Sequence, residues 1–181
     1  MGNGEWKVNK VKDSVDCFIF EVERSEKTNP AGKVGDYIKI KSKDWALAII
    51  HTADNKYVLT NQYRHGIDTN ITEFPCGIIE DGETPMEAAI RESEEEVGLD
   101  KSKISSIKKI YSQRTNPGFM NNTMHAFYIK SEQDSSDFIE KNQHLDENEF
   151  IKIFTLSEAN VDEVMEEKDT SVMMSFAWKM K

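Results

Sequence analysis

Residues 77–99, GIIEDGETPMEAAIRESEEEVGL, constrain this chain more than any other stretch, because the start, body and end of one helix are all written in it. Thr84 offers a hydroxyl at the N-cap, Pro85 a pre-set φ at the first helical position, and Glu87 a carboxylate three residues after the cap. Good helix formers continue to Val97, and Gly98 is placed to end the helix in a left-handed conformation. At about 3.6 residues per turn, Met86, Ala89, Ile90, Ser93 and Val97 share a face suited to packing on a core. Glu92, Glu95 and Glu96 fall on roughly the opposite face, at spacings that bring their carboxylates together. Ala88 sits among them and leaves room above the helix.

Like charges at such spacings repel, so they are either solvated or compensated. A solvated acidic face is the ordinary outcome of a glutamate run. The alternative is a site for hard divalent cations, in which Mg²⁺ (or Mn²⁺) bridges protein carboxylates and substrate phosphates. The placement of Gly77, Glu83, Arg91 and Gly98 at fixed intervals around the carboxylates favours the metal site.

Length and charge narrow the partners. A chain of 181 residues fits one domain with an N-terminal extension and buries a sizeable core. A net charge of −10 argues against a nucleic-acid partner, which calls for a basic patch. A small polyphosphate escapes that objection when metal ions bridge it to carboxylates. No apolar run reaches the roughly 18 residues of a membrane span, so no membrane partner is expected. The N-terminus, MGNGEWKVNK, has no signal-peptide stretch, and Trp6 stands where a Met1-Gly2 myristoylation signal needs Ser or Thr. Cys17 and Cys76 are too few and too far apart for a disulfide framework or a zinc site, and read as reduced thiols in a cytoplasmic protein. His51 reads as a core or strand-end residue, while His65 and His125 stand near motif segments as minor site candidates.

Alternation and punctuation outline the remaining elements. Residues 5–24 read as strands, residues 25–35 as a turn or loop, and YIKIK (37–41) as a strand. WALAIIHT (45–52) suits a strand buried on both faces, with residues 53–56 turning into a returning strand, YVLTNQYR (57–64). After a loop, TEFPCGII (72–79) leads into the helix just described. Residues 108–113 and 124–130 read as strands, the polar segment 131–149 as a mobile loop, and residues 149–156 as a last strand. Ser157 caps one terminal helix, and residues 169–180 read as another. This order gives a mixed α/β or α+β sandwich.

The segment 77–99 resembles the signature box of the Nudix hydrolases at every position but one, Ser93, where the pattern has an aliphatic residue. A buried serine can return its hydroxyl to a carbonyl one turn back. Gln62-Tyr63-Arg64, Glu73-Phe74-Pro75-Cys76-Gly77 and Asn116-Pro117-Gly118-Phe119 resemble elements of the ADP-ribose and related nucleoside-diphosphate-sugar pyrophosphatases within that family. The Pro117 element lies further from the box than is usual there, and Asn121-Asn122 replaces an acidic pair. Amides at that point suit sugar hydroxyls or a different base.

The resemblance implies a Nudix-type α/β/α sandwich with a mixed sheet and an N-terminal antiparallel strand extension. It implies residues 1–40 as a strand region and dimerisation element, residues 41–181 as the hydrolase domain, and a homodimer. Its metal ligands, carried over, are the carbonyl of Cys76 with Glu92, Glu95 and Glu96, Glu95 also counting as a catalytic carboxylate. Gly77, Glu83, Arg91 and Gly98 are the structural positions of the box, Glu83 and Arg91 forming an ion pair that fixes the loop onto the helix. Arg64 is the candidate diphosphate grip, and Phe119 and Asn121 are candidate contacts to base and sugar. The general base is a late-loop glutamate, Glu147 first and Glu149 second. The implied activity is Mg²⁺-dependent hydrolysis of a nucleoside diphosphate sugar, with ADP-ribose favoured. Another linked diphosphate (a GDP-sugar or a dinucleotide) and a non-catalytic nucleotide sensor are the alternatives.

Overall fold

The computed structural model describes residues 4–167 and 170–181; Met1, Gly2 and Asp169, which entered the sequence reading, lie outside them. The chain divides into two compact units, Met1–Asp44 with Arg114–Thr123, and Trp45–Gln113 with Met124–Lys181.

The first unit is built on a three-stranded antiparallel sheet of β1 (Lys7–Asp16), β2 (Phe20–Thr28) and β3 (Val34–Ser42). The loop expected over residues 25–35 is shorter than its Pro and Gly content implies. The ladder continues through Ser25↔Tyr37 to Thr28↔Val34, and only residues 29–33 turn. Asn29 closes that turn, its side-chain oxygen accepting the backbone N–H groups of Ala31 and Lys33 at 2.9 Å each. The segment 114–123 joins the far side of β3, where Ile40 N–H donates to the Phe119 carbonyl at 2.7 Å.

The second unit is an α/β/α sandwich on a mixed seven-stranded sheet. Its strands are β4 (Trp45–His51), β5 (Tyr57–Arg64), β6 (Thr69–Glu73), β7 (Cys76–Ile78), β8 (Ile104–Arg114), β9 (Thr123–Ser131) and β10 (Ile151–Leu156). The order β10-β5-β4-β9-β8 puts β4 in the middle, parallel to β9 and antiparallel to β5, while β6 pairs with β5 and β7 with β4. Ala46 to Ile50 are wholly buried, as the continuous apolar run requires of a strand covered on both faces.

The pleat sends alternate residues of β4 to opposite layers. Ala46, Ala48 and Ile50 pack with Ala88, Ala89 and Val97 of α1 (Pro85–Val97). Leu47 and Ile49 pack with Val161 and Met165 of α2 (Glu158–Glu166) and with Met174, Ala177 and Trp178 of α3 (Val172–Met180). Among the described residues no helix is long and apolar enough to cross a membrane.

Three further expectations need correction. The packing face of α1 is turned relative to the periodicity reading: Met86 is 44% exposed, whereas Ala88, Ala89, Ser93, Glu96 and Val97 are buried. Small alanines against Ala46 and Ala48 let the helix approach β4 closely, so the contact stripe follows side-chain size as well as period. The segment 131–149 is not a plain loop. It winds into short 3₁₀ turns at Ser135–Asp137 and Glu140–Asn142, and Phe138 is buried with Phe127 and Ala88. The residues after Arg64 likewise return as β6 along β5, a hairpin with little apolar alternation to announce it.

Candidate active site

The site is assembled on α1, β7 and the segment that leads into β10, all within the second unit. The helix begins as its sequence demands. Glu87 N–H donates to Thr84 Oγ1 at 3.3 Å, and Thr84 N–H donates to the Glu87 carboxylate at 2.8 Å, a complete capping box. It ends at Gly98 with φ +71°, where a Cβ would also meet Asn142 at 2.7 Å. Ser93 is buried, and its hydroxyl donates to the Ala89 carbonyl at 2.6 Å, one turn back.

Strand β7 lies beside this helix so closely that, with Glu92 in its place, only glycine fits at its middle. A Cβ on Gly77 would fall 2.0 Å from the Glu92 carboxyl carbon. One residue earlier, Cys76 N–H donates to Glu96 Oε2 at 3.0 Å, which joins the strand to the buried carboxylate.

Arg91 gathers the acids. Its Nε and Nη2 meet the two Glu83 oxygens at 2.9 and 3.0 Å, Nη1 lies 2.9 Å from both Glu92 and Glu95, and Nη2 also donates to the Ile78 carbonyl at 2.9 Å. Those bonds, Glu83's first, raise the guanidinium pKa, and Arg91 in turn holds the Glu83 carboxyl below the usual carboxylate range. Burial pushes Glu96 well above that range, and the Glu92 charge adds to the rise. Burial also raises Glu92, with Arg91 pulling the other way.

Two carboxyls raised by shared burial are returned to their charged form by a nearby cation, and oxygen-only donors suit a hard divalent ion. The donor set of Glu92, Glu95 and Glu96 therefore fits Mg²⁺ or Mn²⁺ by chemistry. Among the described residues no three His, Cys, Asp or Glu side chains converge as a ready-made metal cage. Arg91 supplies the positive charge between Glu92 and Glu95 instead.

Arg64, at the end of β5, meets buried Glu73 through Nη2 at 2.6 Å and Nε at 2.7 Å, and Nη2 also reaches Cys76 Sγ at 3.7 Å. Glu73 belongs to an element singled out from the sequence, but its part in orienting Arg64 was not read there; the two residues adjoin only because β5 pairs with β6.

The late loop divides the two base candidates. Both Glu147 and Glu149 are exposed. The Glu149 charge acts on Glu92 and on Glu96, and its carboxylate accepts from Asp146 N–H at 3.3 Å. Phe119 and Asn121 belong to the first unit. Phe119 is half exposed, and Asn121 Oδ1 accepts from Ser42 N–H at 2.9 Å, so that amide oxygen already closes the β3 edge. His125 Nδ1 lies 2.7 Å from Ser112 Oγ, His65 is edge-on to Tyr63, and His51 stacks on Tyr57 at the end of β4.

A family model described as the NUDIX domain matches residues 42–176. The ADP-ribose pyrophosphatase of Bacillus subtilis (strain 168) is 27% identical over 155 residues, 86% of this chain and 77% of that protein. The methanol dehydrogenase activator of Bacillus methanolicus is 34% identical over 113 residues, which is 62% of this chain and 57% of that protein. A crystal structure of an ADP compounds hydrolase superposes with a TM-score of 0.80, covering 99% of this chain and 94% of its own at 19% identity, a likeness of fold.

Proposed function

This chain belongs to the Nudix family of pyrophosphohydrolases, and we propose that it hydrolyses the pyrophosphate of a nucleoside diphosphate linked to a sugar, with ADP-ribose giving AMP and ribose 5-phosphate as the favoured reaction. The observation that carries the reading is the placement of Glu92, Glu95 and Glu96 along α1, with Arg91 bonded to Glu92 and Glu95 and with Glu96 accepting from the Cys76 N–H. The substrate choice is supported by the Bacillus subtilis relative and by the Arg64 and Glu73 elements.

Glu92, Glu95, Glu96 and the Cys76 carbonyl are the groups that would hold Mg²⁺, or Mn²⁺ in its place. The bound ion supplies charge neutralisation of the pyrophosphate and a more acidic water. Arg64 grips the remaining diphosphate oxygens, its guanidinium held in plane by Glu73. Glu147, with Glu149 as the second candidate on the same exposed segment, accepts the proton of the attacking water. The water oxygen bonds to one phosphorus, and the bond from that phosphorus to the bridging oxygen breaks. The bridging oxygen leaves on the second phosphate. In this reading Phe119 and Asn121 meet base and sugar. Residues 1–40 are the dimerisation element of a homodimer, a role suited to the exposed Val8, Val11 and Val15 of β1, and residues 41–181 are the hydrolase domain. The free thiols Cys17 and Cys76 suit a cytoplasmic setting.

The test is product analysis with Mg²⁺ across ADP-ribose, other nucleoside diphosphate sugars, dinucleotides and nucleoside triphosphates, beside Glu96→Gln. AMP from ADP-ribose, lost in the variant, is the expected result. Turnover of another linked diphosphate keeps the chemistry and moves the specificity. Tight ligand binding with no turnover of any of them overturns the hydrolase reading in favour of a sensor.

A further inference from the structure

The last carbonyls of an α-helix have no partner within the helix and must find one elsewhere. In α1 two of them are taken by the segment that carries the base candidates. Glu95 O accepts from His144 N–H at 2.8 Å, and Glu96 O accepts from the Gln143 side-chain amide at 2.7 Å. The same Gln143 nitrogen donates to the carbonyl of Ile151, the first residue of β10, at 3.1 Å. A primary amide has two N–H donors, and here one goes to the end of α1 and the other to the exit of the segment 144–150, which begins at the next residue. Gln143 therefore pins the entry and the exit of that segment to each other and to the backbone of Glu96. Glu149 sits two residues from the pinned exit.

We propose that Gln143 is a positioning residue for the hydrolysis: its amide fixes the span of residues 144–150, so that a glutamate of that segment is presented to Glu92 and Glu96. The inference rests on the hydrolase reading above for its chemistry, but the tether has a readout of its own. Gln143 touches no reacting atom. Its two bonds set how far the loop reaches, and misplacement of a base by a fraction of its hydrogen-bond length costs turnover more than binding.

The experiment compares wild type, Gln143→Met (similar length, no donor), Glu149→Gln, Glu147→Gln and the two double variants in Mg²⁺ with the substrate that the wild type turns over. Expected for Gln143→Met is a fall in kcat of about tenfold or more, with KM within about threefold. The fall should disappear in the background that already lacks the base, since two residues acting through one step are not additive. Amide exchange over residues 144–150 should quicken in Gln143→Met while exchange in β4 stays unchanged. An unchanged kcat overturns the proposal, and so does an equal loss in both glutamate backgrounds, which would mark a purely structural role. If Gln143→Met does not fold, Gln143→Asn withdraws the amide by one methylene and carries the same expectations. A wild type that turns over no linked diphosphate sinks the hydrolase reading; unchanged exchange over residues 144–150 in the variant sinks the tether independently.

Discussion

Gly77 leaves the room that the Glu92 carboxylate occupies: a methyl at position 77 would lie 2.0 Å from the Glu92 carboxyl carbon in its present place. The atoms in the way are the far end of a flexible glutamate, so the protein can yield by swinging that carboxylate aside. Gly77→Ala should thus separate function from stability. Thermal unfolding is expected to shift by no more than a few degrees, an energy of about 1 kcal/mol. Turnover in Mg²⁺ should drop by roughly 10–100-fold as Glu92 leaves its place among the carboxylates. A variant with full turnover would show that the Glu92 position does not matter to the chemistry.

Arg91 joins Glu83, Glu92 and Glu95 through contacts of 2.9 to 3.0 Å. Arg91→Met keeps most of the apolar stem and leaves three partly buried carboxylates without their shared cation. Without divalent ions, chemical denaturation should show a loss of about 1–3 kcal/mol, on the scale of breaking a partly buried ion pair. Mg²⁺ should then raise the unfolding midpoint of the variant more than that of the wild type, because a cation bound to the folded state stabilises it by mass action. Equal Mg²⁺ shifts in both proteins would refute a cation site at these carboxylates.

Ser93 is a polar residue on a packing face, satisfied by its own helix through the Ala89 carbonyl. Ser93→Ala removes the hydroxyl and leaves the carbonyl with the ordinary helical pattern. Equilibrium unfolding should place it within about 1 kcal/mol of wild type, in either direction. A loss above about 2 kcal/mol would mean that the hydroxyl holds more than this one bond.

Asp54 provides a pH signature. Hydrogen bonds from Ser135, then Thr52, lower its carboxyl to about 2. The carboxylate accepts from Ser135 N–H at 2.8 Å, Ser135 Oγ at 2.5 Å and Thr52 Oγ1 at 2.7 Å, tying the turn before β5 to the 3₁₀ turn at Ser135–Asp137. Because the folded-state pKa lies below the ordinary carboxylate value of about 3.9, the ionised group favours the folded state above that value. Its contribution fades as pH falls toward 2. Wild type should therefore be more stable than Asp54→Asn at pH 6, with the gap closing as pH is lowered through that window. A gap that is constant from pH 6 to pH 3, measured by denaturant unfolding, would assign the effect to shape rather than charge.

What was legible from residues alone was local. The capping box at Thr84, the glycine stop at Gly98, the inward hydroxyl of Ser93 and the burial of the 45–52 run all depend on neighbours within a turn or on a continuous apolar stretch. Such features carry their own geometry, because φ preference, side-chain reach and helical period act over a few residues.

Tertiary structure decided the rest. Met86 is exposed because the helix is seated by the sizes of Ala46, Ala48, Ala88 and Ala89, which belong to two distant segments. Phe138 and Ser135 draw the polar stretch 131–149 into order by contacts with a helix and a turn far away in sequence. Glu73 meets Arg64 only through the pairing of β5 with β6, and Gln143 reaches Glu96 across a separation of 47 residues. A glutamine in a polar run looks like any other until carbonyls from two different elements are brought within reach of its amide, and that convergence is a property of the packed fold.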